Sequence, residues 1–227
     1  FRVNLLIIHP DTSLNPSVFV DQPDLTKICA DELGYLDTGI QDITTEVVDF
    51  SSVNIRPELR EIIIDKLGEG VKIQIPNIGK NAFIFEMHDG EIIAIRLASI
   101  HKTEEKKDIK FNMSMESDGT LRMLELIPAF SMLNVEKSKK IVVIDELDRS
   151  LHSKMSLHIL ERYLCSCNSK KRSQLIFTTH DMMLMDQSLF RRDEMWFVDK
   201  NNEQESELTC MSDFKDIRYD KDIRKSY

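Results

Sequence analysis

Two patterns of apolar spacing alternate along this chain, and the switches between them predict its elements. Ile141-Val142-Val143-Ile144 is an unbroken aliphatic run between Lys139-Lys140 and Asp145-Glu146. Such a run reads as a strand buried on both faces, as in a parallel sheet. Gln174-Leu175-Ile176-Phe177-Thr178-Thr179 predicts a second apolar strand, and Val3 to Ile8 reads as another, closed by the turn signal His9-Pro10-Asp11. Ile43 to Val48 alternates, and Val71 to Ile75, Ala82 to His88 and Glu91 to Ser99 read as further strands. The last two are joined by His88-Asp89-Gly90, where Asp-Gly supplies the positive φ of a tight hairpin. Ile109 to Met113, Glu194 to Asp199 and Glu207 to Met211 complete the predicted strands.

Helical spacing places Leu25, Ile28, Cys29 and Leu33 on one face, with Gly34 as a stop, and Leu59, Ile62, Ile63 and Leu67 on another. A helix is also expected over Leu121 to Leu133, bent at Pro128. Another begins at Ser150 and carries Leu157, Leu160, Tyr163 and Leu164. The stretch up to Pro23 reads as loop. The pattern predicts an α/β fold with a mostly parallel core sheet flanked by helices and an antiparallel β-rich section. The mixed-charge run Glu104 to Asp108 marks a soft boundary, giving an N-terminal mixed α/β flank over 1–108 and a second lobe over 109–227.

With 227 residues, 41% of them hydrophobic, the chain can bury a sizeable core. A net charge of −9 disfavours a surface built for nucleic acid, although the basic turn Lys170-Lys171-Arg172 leaves a local contact open. Cys29, Cys165, Cys167 and Cys210 lack zinc-site spacing. His9, His152 and His158 read as turn or helix-flank residues, since His152 and His158 are six apart and do not share a face. No apolar run reaches the ~20 residues of a membrane span and no signal peptide opens the chain, so the expected setting is cytoplasmic.

The candidate chemistry gathers at the ends of predicted strands, where open α/β sheets place their ligand crevices. Asp145 and Glu146 follow an apolar strand, the Walker B pattern. Asp145 would hold Mg²⁺, directly or through water, and Glu146 would accept a proton from an attacking water. The structural alternative is the polar start of a loop. His180 stands at the end of the predicted strand Gln174 to Thr179 and can donate to a γ-phosphate as a neutral imidazole. Ser117-Asp118-Gly119-Thr120 opens a helix. Its serine fits an N-cap, and the same geometry lets backbone amides and the serine hydroxyl approach a phosphate. Arg122 and Glu125, one turn apart, fit a local ion pair.

Ser-x-Gly at the mouth of a helix, then a strand ending Asp-Glu, then a strand ending in His, resembles the signature, Walker B and H-loop order of ABC-class ATPases. The details Glu116-Ser117-Asp118-Gly119-Thr120, Asp145 to His152, Thr178-Thr179-His180-Asp181 and Arg191 to Val198 are similar to AAA/ABC-hybrid ATPases of the RloA-like and OLD-like anti-phage kind. The resemblance implies an ABC-type P-loop NTPase fold, ATP and Mg²⁺ as cofactors, and Asp148 as a nucleotide-contacting D-loop residue. It also implies a dimer closed through its ATP sites. There Ser117 and Gly119 serve the neighbour's nucleotide, while Asp145, Glu146 and His180 serve their own. A Toprim-type nuclease is the implied partner.

One feature departs from the resemblance. No Gly-x-x-x-x-Gly-Lys-Ser/Thr occurs in the 227 residues; Gly68-Glu69-Gly70-Val71-Lys72 and Gly79-Lys80-Asn81 lack the spacing and the hydroxyl. The expectation is therefore the C-terminal part of a longer ATPase. The rival readings are a non-catalytic ABC-like module that regulates or docks an effector, and a metal-dependent nuclease using Asp145, Glu146 and Asp148.

Overall fold

The computed structural model describes residues 4–78, 81–105, 107–136 and 139–214. Gly79-Lys80, Lys137-Ser138 of the lead-in to the central strand, and the charged tail from Lys215 lie outside the described residues.

Three strands form a parallel sheet in the order β1 (Asn4–Ile8), β7 (Lys140–Ile144), β8 (Gln174–Phe177). Between β1 and β7 in the chain lies a larger, antiparallel sheet. It runs β2 (Ile40–Asp49), β5 (Glu91–Lys102), β4 (Asn81–His88), β3 (Lys72–Ile78), with β6 (Asp108–Asn112) also on β5. The fold is thus mixed α/β, a parallel sheet accompanied by an antiparallel β-rich section, as the pattern predicts. Asp89 and Gly90 both take positive φ, 50° and 82°, so the hairpin between β4 and β5 turns as Asp-Gly predicts. A separate hairpin, β9 (Trp196–Lys200) with β10 (Ser206–Cys210), follows β8. Pairing crosses residue 108 in both directions: β1 joins β7, and β6 joins β5.

Five helices accompany these strands among the described residues: α1 (Pro16–Asp21), α2 (Pro23–Tyr35), α3 (Pro57–Lys66), α4 (Asp118–Leu133) and α5 (Ser153–Ser166). α1 lies where a loop was expected. Asn15 caps it through a bond from the Ser17 amide, and Pro16 takes the first position, where proline is tolerated. α2 continues through Gly34, and α4 through Pro128. α5 starts at Ser153, three residues later than expected, because Ser150 takes a left-handed φ of 61° and His152 becomes the N-cap. On α3, Ile63 is buried but Ile62 faces solvent.

The main core gathers α2, α4, α5 and one face of the parallel sheet. α4 is apolar nearly all round, as befits a core helix, and its Phe130 meets Tyr163 of α5 edge to face at 5.8 Å. Val142, Ile144 and Ile8 point into this core. The opposite sheet face is largely uncovered among the described residues: Leu5, Ile7 and Ile176 are 58%, 61% and 56% exposed. A second core, around Phe83, Phe85 and Ile63, lies between the antiparallel sheet and α3.

Candidate functional site

The acidic tip is positioned by strand pairing that continues one step past β7. The Asp145 amide donates to the Ile8 carbonyl at 2.9 Å, and the Leu147 amide to the Thr178 carbonyl at 3.0 Å. Leu147, fully buried, anchors the turn in the core. Between them Glu146 takes φ 46°, a left-handed conformation rare outside glycine. Two successive turns follow, from the Arg149 amide to the Glu146 carbonyl and from the Leu151 amide to the Asp148 carbonyl.

Because β7 and β8 are hydrogen-bonded parallel neighbours, the residues past their ends meet. The Thr178 hydroxyl donates to Asp145 Oδ1 at 2.6 Å and accepts from the Glu146 amide at 2.9 Å. It fixes the Asp145 side chain and the Glu146 backbone at once. His180 Nε2 stands 3.9 Å from Glu146 Oε1, beyond hydrogen-bond length, and its ring is largely solvent-exposed. The His180 amide donates to Asp148 Oδ1 at 3.3 Å. Asp145, Glu146, Asp148 and His180 thus surround one edge of the sheet, and Thr178 is the member that the motif reading missed. Its signal was there: a hydroxyl residue directly after β8, opposite a carboxylate directly after β7.

Ser117 and Gly119 stand at the head of α4. The Ser117 hydroxyl accepts from the Thr120 amide at 3.0 Å, so the serine is an N-cap. Glu116 pins this corner to β5, taking bonds from Ser99 and, at 2.7 Å, from His101 Nε2. A Cβ on Gly119 would lie 2.9 Å from the Ser150 carbonyl, so glycine is needed for the helix to rest on the turn of its own chain. Arg122, 4% exposed, reaches from the same helix to the acidic tip. Its Nη2 donates to the carbonyls of Asp145 and Glu146 at 3.2 and 3.1 Å, and its Nη1 to Glu125 at 3.2 Å. The expected ion pair is present, whereas the bonds across to the tip depend on a tertiary approach that helical spacing does not report. Burial pushes the Glu125 carboxyl up, against the pull of Arg122.

Beside this turn a cleft of about 360 Å³ is lined by Asp11, Ser13, Asp118, Arg122, Arg149 and Ser150, among others. Arg149 donates to Asp11 at 2.9 Å, and the guanidinium holds that carboxyl below its ordinary range. Lys171 of the basic turn donates to the Ser166 carbonyl and so closes the C-terminus of α5.

Against known families, residues 13–186 match the one described as "AAA domain, putative AbiEii toxin, Type IV TA system". The chain belongs to this family. No curated protein matches it. An AAA-type domain is a nucleotide-binding, ATPase-like unit, and such units typically use Mg²⁺. The residues of this AAA domain fit that ion in a particular way. Among the described residues no three His, Cys, Asp or Glu side chains form a metal cluster. Mg²⁺ is commonly held by one or two carboxylates together with substrate phosphates and water, and Asp145, oriented by Thr178, suits that role. No helix among the described residues is long and apolar enough to cross a membrane.

Proposed function

We propose that the chain is the C-terminal part of an ATP-hydrolysing, ABC-class ATPase that works as a nucleotide-driven dimeric switch in bacterial anti-phage or restriction-linked defence. The observation that carries the chemistry is the convergence of Asp145, Glu146 and His180 at adjacent parallel strand ends, braced by Thr178. In this reading Asp145 would hold Mg²⁺, which would supply neutralising charge at the phosphates. Glu146 orients the attacking water and takes its proton, and His180 donates to the γ-phosphate. The left-handed Glu146 backbone supports the assignment, because such conformations cluster where a side chain must be aimed. Ser117 and Gly119 serve the neighbouring copy's nucleotide, so that closure requires triphosphate and hydrolysis releases it.

The phosphate-binding loop would come from polypeptide beyond these 227 residues. The bare apolar face of the parallel sheet supports this, since parallel sheets are ordinarily covered on both sides. The toxin–antitoxin wording of the family description supports a defence setting, in which a Toprim-type nuclease is the proposed partner.

The test is Glu146→Gln in the complete polypeptide. Loss of a general base slows turnover by about 10²- to 10⁴-fold, with ATP binding retained; phosphate release and nucleotide binding are the two measurements. Undiminished hydrolysis in Glu146→Gln rules out the assigned base. An unmutated protein that binds a partner but never hydrolyses ATP would favour the non-catalytic docking module instead.

A further inference from the structure

Arg122 is an unusual presence at the centre of this fold. It is a cation buried to 4% exposure in the first turns of the core helix α4, and its Nε has no hydrogen-bond partner among the described residues. Its donors go across the chain to main-chain oxygens, with one Nη2 shared between the carbonyls of Asp145 and Glu146. A buried arginine costs desolvation, and a carboxylate alone would suffice to neutralise it. Glu125 does so at 3.2 Å. The remaining bonds need another reason.

Those two carbonyls belong to the residues that carry the chemistry, in the stretch where Glu146 adopts φ 46° and Ser150 φ 61°. Such a backbone persists only where its surroundings over-determine it. Thr178 holds it from the β8 side through the Glu146 amide. Arg122 holds it from the α4 side through the carbonyl. The helix that carries Arg122 also begins with the Ser117-Gly119 corner, and Gly119 lies directly against the Ser150 carbonyl. The corner and the acidic tip are therefore fastened at two points, Arg122 and Gly119, with no loop between them to absorb a displacement.

We propose that Arg122 is a positioning residue that fixes the backbone of Asp145 and Glu146 and ties it to the Ser117-Gly119 corner, so that the two move as one body. Its consequence for catalysis rests on the ATPase reading above. If the tip serves one nucleotide and the corner the neighbour's, Arg122 is the mechanical link between two ATP sites.

Hydrogen–deuterium exchange on the 227-residue chain tests the link without any activity. Arg122→Met keeps the apolar stem and removes the donors; Arg122→Lys keeps the charge without the planar fork. Loss of a charged hydrogen bond corresponds to exchange faster by about tenfold, expected at Glu146, Leu147 and Arg149 in Arg122→Met. Thr120 and Leu121 should follow, and β4 should stay unchanged. The lysine variant falls between. Wild-type exchange of the tip in folded Arg122→Met overturns the proposal. If that variant does not fold, wild-type exchange in Arg122→Lys overturns it equally. A loosened tip with an unaltered Thr120 and Leu121 overturns the coupling. In the complete ATPase, Arg122→Met should lower kcat by about tenfold with KM for ATP unchanged, matching a defect confined to the transition state. Hydrolysis at the wild-type rate would remove the catalytic consequence. Absence of hydrolysis in the unmutated protein defeats the ATPase reading, while the exchange result still decides the role of Arg122.

Discussion

At the scale of single residues, charge and hydroxyl groups do their work here through partners far away in the chain. Asp145, Glu146 and His180 were readable because each follows an apolar run that fixes its place at a strand end. Thr178 and Arg122 were not. A threonine after a strand and an arginine on a helix have many uses, and only the pairing of β7 with β8 and the depth of α4 single these out. Asp11 and Arg149 are likewise joined across the fold, and their bond predicts a pH dependence. Arg149 depresses the Asp11 carboxyl in the folded chain, so the folded state binds that proton less tightly than the unfolded one. The resulting stability is present above the ordinary carboxylate value of about 3.9 and is lost as pH falls through the depressed folded value. Arg149→Gln should therefore have a lower urea midpoint than wild type at neutral pH, and the two should converge in acid. Because the pair is exposed, added salt should narrow the gap. A difference that persists in acid would mean that Arg149 acts by packing.

At the scale of elements, the pattern of apolar spacing located all ten described strands, while helix ends were set by local chemistry that spacing does not report. α1 was hidden because six residues cannot show a 3.6 period, although Asn15-Pro16 is a start signal in itself. α5 begins late because the turn after Asp145 needs Ser150 in a left-handed conformation. Glycines sharpen the contrast between local propensity and tertiary contact. Gly34 in α2 lies 3.6 Å from the nearest atom that a Cβ would meet, the Ile40 carbonyl, which is ordinary contact. Gly34→Ala should raise stability by about 0.4–1 kcal/mol through reduced freedom of the unfolded chain. Gly119 is also helical, but its Cβ would stand 2.9 Å from the Ser150 carbonyl, a backbone atom that cannot rotate aside. Gly119→Ala should cost about 1–3 kcal/mol in overpacking, less the helical gain of up to about 1. Chemical denaturation of both variants measures the opposing signs. A stabilised Gly119→Ala would show that α4 and the turn are not in contact.

At the scale of the whole molecule, the run Ile141 to Ile144 reads as a strand buried on both faces, but the sheet that holds it is covered on one. Ile7, Val143 and Ile176 are aligned in register across β1, β7 and β8, and the outer two are more than half exposed. The sequence records what a chain has been selected to bury, whereas the fold of residues 4–214 shows only what these residues bury among themselves. The gap between the two is a measurable quantity. In the 227-residue chain, Ile7→Lys with Ile176→Lys should change stability by no more than about 1 kcal/mol, the sum of two surface substitutions. In a longer polypeptide whose added segment lies on this face, the same pair would strand two charges under an apolar layer and lose about 1.5–3 kcal/mol of burial per side chain, besides the cost of desolvating the lysines. Denaturant midpoints of the double variant in both lengths separate the cases. A large loss already in the 227-residue chain would mean that the face is occupied without any added segment, and equal small losses in both would mean that nothing in the longer polypeptide rests there. A loss confined to the longer form would place the added segment on the row Ile7, Val143, Ile176, beside the strand ends that carry Asp145 and His180.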